Sequence, residues 1–65
     1  MPSDRWAKRL ADNREVEYSY EEEDGLFVAS ARVIGTPVIY IHKGIQTTMT
    51  RVQVEAEFEH DLRRR

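Results

Sequence analysis

The chain has 65 residues, no cysteine, a formal net charge of −2, 34% charged residues and 40% hydrophobic ones. That length makes one domain and buries only about 60% of the unfolded surface, with no disulfide or thiolate–metal site to staple it. No apolar run approaches the ~18 residues of a membrane span and no apolar segment follows Met1 as in a signal peptide, so the composition fits a soluble, cytoplasmic domain that gains from pairing as a homodimer.

Taken in chain order, residues 3–14 read as a short helix. Ser3 or Asp4 can cap it, Trp6 and Leu10 lie four apart beside Ala7 and Ala11, and Asn13 is its stop. Arg5, Lys8 and Arg9 take the remaining surface.

Val16 to Ile34 reads as a hairpin folded about Asp24-Gly25, since both residues tolerate the positive φ of a type I′ turn. A two-residue loop sets Glu23 opposite Leu26, Tyr20 opposite Ala29, Tyr18 opposite Ala31 and Val16 opposite Val33. Each tyrosine ring then lies across from a methyl group, with Phe27 extending that face. Glu17–Arg32 and Ser19–Ser30 pair on the other. A slip by one residue would exchange the faces.

Gly35-Thr36-Pro37 reads as a three-residue loop to a strand over 38–42, with Val33 facing Ile39 and Ala31 facing Ile41. Both isoleucines then join the tyrosine face, and Val38, Tyr40 and His42 point away. Lys43-Gly44 reads as the next turn, pairing Ile41 with Gln46 and Ile39 with Thr48.

The last segment fits two periods. Val52, Val54, Ala56 and Phe58 alternate with Gln53, Glu55, Glu57 and Glu59, the pattern of a half-buried strand. Thr50-x-x-Gln53 has capping-box spacing, Met49 and Val54 suit a hydrophobic staple, and Val54, Phe58 and Leu62 would share a helical stripe. The count of alternating positions favours the strand. The expected fold is α+β, an N-terminal helix packed on a small antiparallel meander of about four strands (16–22, 26–34, 38–42, 46–58), with the C-terminal segment strand or helix and a basic tail over 62–65.

Charge is segregated. Residues 1–14 hold two acids and four bases, and residues 15–24 six acids and no base. Residues 25–54 hold three bases and no acid, and residues 55–61 four acids and no base. Glu15, Glu17, Glu21, Glu22, Glu23 and Asp24 therefore form a candidate protein-binding face for a basic partner, and self-repulsion there has a stability cost. Leu26, Val28, Ile34 and Val38 give the neighbouring sheet surface an apolar centre suited to a protein interface. The alternative is a nucleic-acid-binding face of Arg32, Tyr40, His42, Lys43 and Arg51, which offers aromatic and cationic groups on a sheet. A net negative chain argues against nucleic acid as partner.

Catalysis finds little support. His42 and His60 lack metal-ligand spacing, no carboxylate sits at an apolar position that would shift its pKa, and Gly25, Gly35 and Gly44 each read as turn residues. No catalytic residue, metal ligand or cofactor is expected.

Tyr18-Ser19-Tyr20 followed by Asp24-Gly25-Leu26-Phe27-Val28-Ala29 resembles the opening hairpin of HicB-type antitoxins. That resemblance implies an α/β module occupying the cleft of a small toxin, and it favours the helical option for residues 51–64. The family's Pro-Gly turn and Gly-x-Thr helix entry have no counterpart after Ala29. The expected function, read from the charge and apolar pattern, is a non-enzymatic protein-binding module, a small regulator or inhibitor acting through the acidic hairpin face and exposed sheet surface. A HicB-like antitoxin is a further alternative.

Overall fold

The computed structural model describes residues 3–45 and 49–63. Four antiparallel strands, β1 (Ser3–Arg9), β2 (Glu15–Glu23), β3 (Leu26–Val33) and β4 (Ile39–Ile45), form one sheet in the order β1-β2-β3-β4. A helix, α1 (Arg51–Leu62), follows and covers one face of it.

The central hairpin has the register its turn demands. Tyr20 pairs with Ala29, Tyr18 with Ala31, Val16 with Val33 and Glu17 with Arg32. Asp24 and Gly25 both take positive φ, 55° and 77°. Val16, Tyr18, Tyr20, Phe27, Ala29, Ala31 and Val33 are all buried on the face under α1, here the inner face. The two alanines open a trough between the β2 and β4 side chains. Phe58 fills it from the helix, 4.5 Å from the His42 ring and 6.4 Å from that of Tyr18.

Two expected elements are overturned. The N-terminal segment is strand β1, and the only helix among the described residues is C-terminal. Trp6 and Leu10, spaced four apart, satisfy strand alternation as well as a helical stripe, and β2 without β1 would be a buried-pattern strand with an open edge. Pairing satisfies that backbone. It also stacks Trp6 on Tyr18, ring centroids 5.4 Å apart. Asn13, expected as a helix stop, takes φ 76° in the β1–β2 turn.

The strand expected over 46–58 is also overturned, its opening residues 46–48 lying outside the described residues. Thr50 caps α1 reciprocally: Gln53 N donates to Thr50 Oγ1 (3.2 Å) and Thr50 N donates to Gln53 Oε1 (2.8 Å). Val54, Phe58 and Leu62 are the buried stripe, while Val52 is 74% exposed. The guanidinium of Arg14, held by Asp12 at 2.7 Å, donates to the Leu62 carbonyl and so places a cation at the negative end of the helix. Of the expected basic tail, Leu62 ends the helix, Arg63 is its C-cap and residues 64–65 lie outside the described residues.

The β3–β4 register is one residue off expectation. Val33 N donates to the Val38 carbonyl (3.1 Å), so the loop holds four residues, 34–37, rather than three. Ala31 therefore faces Tyr40 and Ala29 faces His42. One extra loop residue inverts the strand: Tyr40 and His42 turn inward, and Ile39, Ile41 and Ile45 turn outward. Lys43-Gly44 is no turn, because β4 runs straight through it to Ile45, and the pairings expected for Gln46 and Thr48 fall on residues outside those described.

Candidate functional site

The pairings make the outer face a lattice of rows. From β1 to β4 they run Ser3–Glu21–Val28–Lys43, Arg5–Ser19–Ser30–Ile41 and Ala7–Glu17–Arg32–Ile39, with Glu23–Leu26–Ile45 at the tip. No described residue packs over this lattice. Its β3/β4 half is apolar and open: Leu26 is 54% exposed, Val28 39%, Ile39 51%, Ile41 56% and Ile45 88%. Single exposed apolar residues are ordinary, but a contiguous group on one sheet face marks an interaction surface.

The β2 column beside it carries Glu15, Glu17, Glu21 and Glu23. Arg32 binds Glu17 at 2.8 Å, and that hydrogen bond, against some desolvation and with help from the charges of Arg32 and Arg5, holds the Glu17 carboxyl below its ordinary range. Glu15, Glu21 and Glu23 are exposed, and Asp24 sits in the exposed turn. Glu22 leaves the group. It is half-buried on the inner face in the row of Phe27, near the Tyr20 phenol, whose pKa is pushed up by burial first and by the Glu22 charge next. The expected acidic face is therefore a column of four glutamates and a turn aspartate.

The alternative basic and aromatic set is dispersed. Arg32 and Lys43 are on the outer face, Tyr40 and His42 on the inner one. Arg51 grips Asp4 with two hydrogen bonds (2.7 and 2.9 Å) and lies 4.9 Å over the Trp6 ring. His42 is a clasp between β4 and α1, its Nε2 2.6 Å from Asp61 and its Nδ1 3.3 Å from Glu57. No common surface gathers these five residues.

A groove of about 570 Å³ separates the β1–β2 turn from α1. Its rim holds Lys8–Glu55 (3.0 Å), Arg14–Asp12 (2.7 Å) and Arg63–Glu59 (3.7 Å), so its charges already face opposite ones. Among the described residues no cluster of His, Asp and Glu suits a metal ion. Nor is any helix of theirs long and apolar enough to cross a membrane.

The sequence signal for the open face is present in Leu26 and Val28, whereas Ile34 and Val38, read with them, fall at the β3–β4 loop. Ile39 and Ile41 read as core residues because the loop before them reads one residue short, and Ile45 lies past an expected turn that the structure does not have. No family model, curated protein or solved structure matches the chain.

Proposed function

We propose that the protein is a non-enzymatic protein-binding module, a small regulator or inhibitor that works through the outer face of its sheet. The observation that carries this reading is the group Leu26, Val28, Ile39, Ile41 and Ile45, open to solvent on a face that no described element covers. Exposing such a surface in water costs free energy, and a chain with so small a core gains from covering it. The glutamate column beside it supplies polarity and sign: a partner with an apolar ridge next to basic residues matches both halves. A cysteine-free chain needs no oxidising compartment, and the cytoplasm is the setting that fits.

The test is affinity capture from a lysate of the cell that encodes the protein. The bait is wild type, Ile41→Asp, or the triple variant Glu21→Lys, Glu23→Lys, Asp24→Lys. All these positions are exposed, but a lysine at Asp24 meets the positive φ of the turn, so circular dichroism checks that each variant keeps the fold. A partner retained by wild type should be lost with Ile41→Asp and weakened by the triple variant. Undiminished retention by Ile41→Asp would remove the outer face from the reading.

A further inference from the structure

We infer that the apolar half of the outer face is covered by a second copy of this chain, stacked face to face about a two-fold axis parallel to the strands and over the gap between β3 and β4. The inference rests on the outer face being a protein-binding surface, and names its occupant.

Charge selects this arrangement from the lattice of rows. An axis parallel to the strands sets each β3 on the other copy's β4 and keeps the rows in line. Leu26 then meets Ile45 of the second copy, and Ile41 lies over Ser30. Lys43 lies over Val28, with Glu21 of the second copy next to it in the same row. Sheets stack about 10 Å apart, a gap that a lysine and a glutamate can bridge from opposite sides. Neither Lys43 nor Glu21 makes an ion pair among the described residues, so each is available to the other.

The competing symmetric arrangements fail on the same map. An axis across the strands would lay β2 on β2, facing the column of Glu15, Glu17, Glu21 and Glu23 with its own copy. Extending the sheet through two β4 edges would leave the apolar face uncovered at twice the length. It would also bring together the Glu57 and Asp61 carboxylates that lie over His42 on each edge strand.

Two strands of this length present a plan area of roughly 250 Å². Counted over both copies this lies below the standard protein–protein range, so the dimer is a weak, transient one with a dissociation constant above micromolar. Glu15, Glu23 and Asp24 of both copies stay at its margin, open to a further basic partner.

Sedimentation equilibrium over a wide concentration range tests the assembly. Wild type should show a monomer–dimer equilibrium, and Ile41→Asp should be monomeric throughout. Lys43→Glu should weaken the dimer by about tenfold, and adding Glu21→Lys to it should restore the affinity. The charge pair decides the matter even if Ile41→Asp disturbs folding. A wild type that is monomeric at every attainable concentration overturns the dimer, as does a dimer indifferent to the charge swap. A monomeric wild type whose foreign partner is lost with Ile41→Asp would overturn the dimer and leave the binding face standing.

Discussion

Gly44 of β4 is the cross-strand partner of Phe27 in β3, and a Cβ built there would come within 2.6 Å of the Phe27 ring. In the sequence this glycine reads as a turn residue; in the fold it serves by lacking a side chain, letting the buried Phe27 ring approach the edge strand closely. Gly44→Ala should therefore destabilise by about 1–3 kcal/mol as the ring is displaced, measured by urea unfolding. Glu55 is the other telling residue. It accepts hydrogen bonds from Trp6 Nε1 (2.8 Å) and Lys8 Nζ (3.0 Å) and ties the helix to β1. Burial pushes its pKa up, but the bonds from Lys8 and Trp6 and the charges of Lys8 and Arg51 outweigh that, and the net shift is downward. A carboxylate depressed in the folded state contributes stability above its unfolded value of about 4.3 and loses that contribution as pH falls through the folded value. Glu55→Gln should flatten the acid limb of a plot of urea midpoint against pH while lowering stability at neutral pH. Neither role was legible in the sequence, since each depends on a residue brought near by the fold.

At the scale of elements, both misread segments share one ambiguity. A spacing of four residues is a helical turn and also two full strand repeats. Trp6 and Leu10 obey both, as do Val54 and Phe58. The surroundings break the tie. The open edge of β2 takes Ser3–Arg9 as a strand, and the alanine trough takes the Phe58 stripe as a helix. The cap at Thr50 was the sequence signal that favoured the helix, and its two reciprocal hydrogen bonds are formed. Thr50→Ala should cost about 1 kcal/mol, read as a lower melting temperature by circular dichroism at 222 nm. Phe58 is fully buried, so Phe58→Ala should cost more, about 3–5 kcal/mol, which for a chain this small means loss of the fold.

For the molecule as a whole, the charge blocks become intelligible once the strands are paired. The register sets Arg9 opposite Glu15 and puts Arg5 between the rows of Glu17 and Glu21, while Arg32 binds Glu17 from the other side. Basic β1 and acidic β2 are neighbours, so part of the repulsion read from the sequence is offset across strands. Lys8–Glu55 and Arg51–Asp4 repeat the scheme between β1 and α1. Strands β2 and β3 are paired on both sides, so their amides should show the slowest hydrogen exchange by NMR, with β1 and β4 exchanging first. Equal protection across all four strands would mean that the edges are covered. The sequence by itself determined the hairpin from Val16 to Val33, because a turn that needs two positive φ angles and rings that fit only over methyls leave a single register. Tertiary structure decided which terminus is helical and which face of β4 is wet. A period of four does not separate helix from strand, and one added loop residue reverses a strand, so both outcomes waited on the open edge and the empty trough that the hairpin offered.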